Sequence, residues 1–201
     1  KESAEVLYEN QAMQSTLGAG TYLLKKKEAS SMFPFMNFSD ILLCSHNIKD
    51  EGYFDGQLLF EFFKKSAIRN GAEYIQDRVT DIKLDDGKVL EVLLKSGERI
   101  ACGNLVNCAG AGANVISKMI NYNLPVEPRK RFSFVFRAEK KLVSKVPLTI
   151  DPSGVHFRSD GEVFLAGCAP VQDFPVELKD FSLEENVWED RVWPVLANRV
   201  P

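Results

Sequence analysis

The sequence predicts an α+β fold built on antiparallel sheet, and three observations carry that expectation. Short apolar stretches are separated by Asp86-Gly87 and Asp160-Gly161, hairpin signals because both turn positions tolerate positive φ. Apolar spacing of helical period is clearest at Leu58, Leu59, Phe62, Phe63 and Ala67. The chain has 201 residues, 45% of them hydrophobic, enough to bury one core or two small ones.

In chain order, residues 2–20 are polar and roughly helical, followed by an apolar stretch at 21–24 and a charged one at 25–28. The segment 30–38 carries Met32, Phe33, Phe35, Met36 and Phe38, which suit a cap over a core or one wall of a ligand pocket. A polar, glycine-containing loop is expected over 46–55. Asp55 should cap the amphipathic helix that runs to Gly71. A β-meander follows, with strands at 73–84, 88–94 and 99–107 joined at Asp86-Gly87 and at 95–98. After a helix over 115–120, strands are expected at 132–137, 148–151, 154–158 and 163–167. An acidic loop at 172–180 leads to a final helix over 183–198, in which Pro194 predicts a kink or break.

Composition excludes several classes. With 13 Gly and 9 Pro the chain is neither collagen-like nor of low complexity. A formal net charge of −3 argues against a non-specific nucleic-acid binder, which needs a concentrated basic face. No apolar run approaches the ~20 residues of a membrane span. Cys44, Cys102, Cys108 and Cys168 form no C-x-x-C pair, and His46 and His156 lie far apart, so no metal site is expected. Cys102 and Cys108 read as small core residues, and the cysteines as reduced thiols. Neither end carries a targeting pattern, and the sequence reads as an internal piece of something longer.

Catalytic signatures are absent: there is no G-x-S-x-G, no Walker A and no H-E-x-x-H. Asp85, Asp86, Asp151 and Asp160 stand on turns, where Asp is expected for its turn chemistry alone. Arg129, Lys130 and Arg131 form a dense basic cluster, either a solvated strand end or a contact for an anion or partner. The most specific chemistry lies at 105–114. Leu105-Val106-Asn107-Cys108 runs into Ala109-Gly110-Ala111-Gly112-Ala113-Asn114 and then into a helix. Strand, small-residue turn and helix can bring backbone N–H groups to a phosphate or ribose, although a tight turn without a ligand fits equally well. The full G-x-G-x-x-G pattern would need a glycine at Val115.

The order of Asp50-Glu51-Gly52-Tyr53-Phe54-Asp55, Asn70-Gly71-Ala72, Arg78-Val79-Thr80-Asp81-Ile82, Asp86-Gly87 and 105–111 resembles the central part of the FAD-dependent D-amino-acid oxidase family. That family includes glycine oxidase and the sarcosine and dimethylglycine dehydrogenases. The run LPVEPRKRF at 124–132, the phrase DPSGVHFR at 151–158 and Arg191-Val192-Trp193-Pro194 resemble a mitochondrial branch associated with assembly of respiratory complex I.

The resemblance implies an antiparallel-sheet substrate domain with inserted pieces of a FAD-binding, Rossmann-like α/β domain. Residues 1–55 would be a helical and aromatic cap segment of the substrate domain. Residues 56–122 would be part of the FAD-binding domain, and 123–201 would be substrate-domain strands with a C-terminal helix. It implies FAD as cofactor and oxidation of a C–N bond in an amine or amino acid, with hydride passing to the flavin. The alternative is a non-catalytic FAD-binding scaffold. It implies complex I assembly intermediates as partners, a mitochondrial location and peripheral association with the inner membrane. By the same resemblance Val79 meets the adenine end of FAD through its backbone, Ala109, Gly110 and Ala111 make a second backbone approach, and His156 faces the substrate pocket. The residues that act on the substrate chemically stay unassigned. The family's N-terminal G-x-G-x-x-G turn and its later flavin loop do not occur in this sequence, so the piece by itself is expected to be inactive.

Overall fold

The computed structural model describes residues 2–140, 142, 144–184 and 186–201. In chain order the elements are α1 (Glu2–Thr16), β1 (Thr21–Lys25), α2 (Lys26–Met32), β2 (Leu43–Asn47), α3 (Gly56–Arg69), β3 (Val79–Asp85), β4 (Lys88–Leu94) and β5 (Arg99–Ala101). A 3₁₀ turn (Gly110–Gly112) and α4 (Ala113–Lys118) follow, then β6 (Phe132–Phe136), β7 (Thr149–Ile150), β8 (His156–Asp160) and β9 (Val163–Cys168). The chain closes with a π-helical turn (Trp188–Val192) and α5 (Trp193–Arg199). Every strand pair is antiparallel, as the α+β expectation requires. The chain divides into two compact units, Lys1–Phe54 with Phe132–Ala169 and Leu183–Pro201, and Asp55–Arg131 with Pro170–Ser182.

The first unit holds the β1–β2 hairpin and a four-stranded sheet in the order β6-β9-β8-β7. Alternation sorts the sheet's two faces. Phe132, Ala166, Cys168 and Phe157 point to a core completed by Met36 and Phe38 from the aromatic segment and by Val187, Val192 and Leu196 from the C-terminal segment. The aromatic stretch is thus a cap in its second half, while Met32 stays exposed.

Arg199 fastens this arrangement. With only 4% of its side chain exposed, it pairs through Nη1 with Asp40 at 2.8 Å and through Nη2 with Asp151 at 2.7 Å. It also donates to the Asn37 carbonyl. Hydrogen bonding to Arg199 holds the Asp40 carboxyl below its usual range. Burial pushes Asp151 up, but hydrogen bonds from Ser153 and Arg199 outweigh it and leave the group depressed. Asp151 also closes the β7–β8 turn, where its carbonyl accepts from Gly154 N at 2.8 Å and Gly154 takes φ +86°.

The second unit holds the meander β3-β4-β5 with α3 and α4. Asp55 caps α3 as expected, its carboxylate accepting from Gln57 N at 2.8 Å and Leu58 N at 3.0 Å. Asp86 and Gly87 both take positive φ at the hairpin. The core is small: Ile82, Val92 and Leu94, with Ile116 and Met119 packed against them. Arg129, Lys130 and Arg131 are neither free nor merely solvated. Arg131 grips Asp173 through two bonds of 2.8 and 2.9 Å, Lys130 reaches Asp180 at 2.8 Å, and Arg129 bonds the Asp173 carbonyl. The basic run and the acidic loop therefore neutralise one another.

Several expectations change. The third meander strand ends at Ala101, and 105–108 joins no ladder among the described residues. Residues 43–47, partly assigned to a loop, form β2. The C-terminal helix is α-helical only from Trp193, and Pro194 stands just after its junction with the π-helical turn, where the expected kink or break takes the form of a change of helix type. The expected helix start includes Glu185, which lies outside the described residues. Cys108 is exposed and Cys102 half-buried rather than both being core, while Cys168 is buried.

Candidate nucleotide turn and substrate face

The small-residue turn of the second unit is shaped by Asn107. Its side-chain amide donates to the Ala113 carbonyl at 2.8 Å and Ser117 Oγ at 3.2 Å, and its Oδ1 accepts from Ala109 N at 3.2 Å. One side chain thus ties the entry of the turn to the first turn of α4. Ala109 leads into the 3₁₀ turn, within which lie Gly110 and Ala111. Gly110 takes φ +54°, which favours glycine, and a Cβ built there meets nothing within 4 Å. The three backbones from Ala109 to Ala111 are exposed and carry nothing larger than a methyl group. A planar or phosphorylated group can approach them closely, which is the fit an extended nucleotide cofactor needs. Gly112 is half-buried, and a Cβ there would sit 3.5 Å from Leu178.

Val79 opens β3 and pairs with Leu94, and the register then skips Thr80, so a β-bulge follows it directly. Thr80 Oγ1 donates across the bulge to the Leu93 carbonyl at 3.2 Å. Bulges re-aim the backbone beside them. The Val79 side chain packs on the Ile82 cluster, which leaves backbone as the part available to a ligand.

His156 lies in the first unit, on the face of the four-stranded sheet opposite the core. It pairs with Gly167 across β8 and β9, and its ring covers that glycine. A Cβ at Gly167 would stand 2.9 Å from His156 Nε2 and collide with the Phe132 carbonyl. Arg158 shares the same face two residues on and is half-buried, with the Tyr53 ring 4.2 Å from its guanidinium carbon. Sequence reasoning missed Arg158, Tyr53 and the tethering role of Asn107. The alternation His156, Arg158, Asp160 against Val155, Phe157, Ser159 was the available signal. His46 stands edge-on to Phe33, 5.5 Å between ring centres, in the aromatic cap. Among the described residues no group of His, Cys, Asp and Glu is placed to hold a metal ion, and no helix is long and apolar enough to cross a membrane.

Comparison with known proteins identifies the family and the fold. The DAO family model, described as FAD dependent oxidoreductase, matches residues 1–197. The chain belongs to this family, whose cofactor is FAD. FAD-dependent oxidoreductase domain-containing protein 1 from Xenopus laevis is 26% identical over 232 residues, covering 100% of this chain and 46% of that protein. The chain spans about half the length of the curated relatives it matches. L-proline dehydrogenase from P. horikoshii superposes with a TM-score of 0.81 at 21% identity, over 100% of this chain and 55% of that one. Glycine oxidase from Bacillus cereus does so with 0.73 at 16% identity, over 100% and 53%. These likenesses establish the fold.

Proposed function

We propose that this chain is part of a FAD-dependent oxidoreductase that oxidises a C–N bond in a small amine or amino acid. The observation that carries the reading is the open turn at Gly110, set in a chain of this family. When bound, FAD supplies the two-electron acceptor. The chain's own part is to present backbone. Ala109, Gly110 and Ala111 offer an approach unobstructed by side chains, and Val79 offers a second at the bulge. Asn107 holds the first of these rigid. His156 presents an imidazole on the open sheet face, where it can orient a substrate.

The test uses the full-length flavoprotein. Gly110→Val places a branched side chain on the approach, whereas Gly110→Asn tolerates positive φ and adds a smaller one. The expected result is flavin content lost in the valine variant and reduced in the asparagine variant, with unchanged secondary structure by circular dichroism. Unchanged flavin content in both would overturn the assignment of the turn.

A second reading, assembly of respiratory complex I at the inner mitochondrial membrane, is supported by the likeness to one branch of the family. Its test is co-purification of the full-length protein with respiratory-chain subunits from mitochondria.

A further inference from the structure

Asn107 ties the entry of the small-residue turn to α4, and a second segment of the same unit holds its exit. Residues 170–182 run beside 128–131 and are fastened there at successive points. Arg131 clamps the Asp173 carboxylate with two bonds of 2.8 and 2.9 Å, and Arg129 donates to the carbonyl of the same residue. Val176 N donates to the Pro128 carbonyl at 3.0 Å. Lys130 Nζ reaches Asp180 at 2.8 Å and Ser182 Oγ at 2.6 Å. Between the anchors at 176 and 180, Leu178 is carried over Gly112, where a Cβ would stand in ordinary van der Waals contact at 3.5 Å. Asn114 of α4 accepts from Leu124 N at 2.9 Å, so a closed run of contacts leads from Gly112 through Leu178, Lys130 and Leu124 back to α4.

These anchors answer to salt. The Arg131 and Asp173 side chains are 52% and 37% exposed, so dissolved ions reach the pair and screen it. Mild acid does not undo them. Hydrogen bonds from Arg131 hold Asp173 below its usual range, and Asp180 is held at about 2, chiefly by Lys130. Leu178 is 44% exposed and buries too little apolar surface to offset the ordering of the chain around it. Its place over Gly112 therefore depends on the charge pairs before and after it.

We propose that residues 170–182 are an ionic strap that positions the turn at 109–112 through Leu178, and that dissolved salt releases it. Where that turn meets FAD, as proposed above, release weakens the hold on the cofactor. Leu178, Lys130 and Asp180 are thus positioning residues, acting through Gly112.

The test uses the full-length protein and two readouts. Amide hydrogen exchange of 109–114 reports the turn with or without cofactor, and titration of the apoprotein with FAD reports its affinity. Between 0.1 M and 1 M sodium chloride the screening length falls from ~10 to ~3 Å. Exchange in the wild type should quicken about fivefold over that range, the worth of one exposed ion pair. Leu178→Ala should be that fast already at 0.1 M, with no further response to salt. Lys130→Glu should also be fast at 0.1 M, and adding Asp180→Lys, which restores the pair in reverse, should return the wild-type rate. FAD affinity should fall and recover in the same order. Exchange blind to salt, exchange unchanged in Leu178→Ala, or failure of the reversed pair to restore it would each overturn the strap. Exchange that follows salt and the variants while FAD affinity does not upholds the strap and defeats the turn as a cofactor contact. Flavin lost in Gly110→Val with exchange blind to the strap does the reverse.

Discussion

In the first unit a sheet, an aromatic segment and a C-terminal helix enclose a shared core in which Val155, Val192 and Cys168 are almost wholly buried. In the second, α3 runs for 14 residues without burying one of them, although Leu58, Phe62 and Phe63 are spaced as a helix's apolar stripe should be. Amphipathic pattern records which side of a helix is built to be covered, and burial records what covers it. The two units are therefore held by different means. The first rests on a large apolar core locked by one buried cation, the second on a small core of Ile82, Val92 and Leu94 helped by a hairpin, a helix cap and charge pairs at its surface.

The largest expected effect tests the lock. Arg199→Ala leaves Asp151 buried without its partner, a change that costs about 3–5 kcal/mol. Urea denaturation followed by the fluorescence of Trp188 and Trp193, both in the first unit, should show that loss. A change under about 1 kcal/mol would mean that the pairing adds little. The same contact fixes the acid response. Asp40 and Asp151 are both held below the ordinary value of 3.8, so they stabilise the fold fully above it. That stabilisation fades as pH falls through their folded values. Tryptophan fluorescence should report unfolding of the first unit on acidification, and Arg199→Ala should flatten this response. In the second unit Asp180, held at about 2 chiefly by Lys130, should keep its charge further into acid.

Gly167→Ala comes next. The added methyl group meets the Phe132 carbonyl and the His156 ring, and overpacking of this kind costs about 1–3 kcal/mol. Wild-type stability in the same denaturation would show that the sheet yields there. Asp55→Ala, which removes the α3 cap, should cost about 1 kcal/mol, read by amide hydrogen exchange of α3. Smallest of all, Phe62→Ser should leave the stability of this chain within about 0.5 kcal/mol, because the ring is 59% exposed. A loss of several kcal/mol would show that α3 is covered and erase the contrast between the units.

What the sequence made legible follows the range of the forces involved. The hairpin at Asp86-Gly87 and the Asp55 cap depend on neighbours a few residues apart, and the strands at 132–136 and 163–168 are marked by their own apolar and aromatic residues, so local chemistry announces them. β2 was hidden because LCSHN lacks alternation and its partner begins 22 residues earlier. The lock at Arg199 joins residues 159 and 48 positions apart, and nothing near Arg199 marks it among the 25 Lys and Arg of the chain. The charge zipper between 129–131 and 173–180 was visible as two opposite clusters, but not as partners. At the site, the turn at 109–111 was legible from its small residues. The face carrying His156 and Arg158 was only half so, since a polar strand edge reads the same whether it faces solvent or a ligand.

We propose that this chain is part of an amine-oxidising flavoprotein. The visible spectrum of the full-length protein, recorded before and after anaerobic addition of sarcosine, dimethylglycine and a panel of amino acids, tests it most directly. A flavin spectrum that bleaches with at least one of these amines is the expected result. A flavin spectrum that none of them bleaches would contradict it.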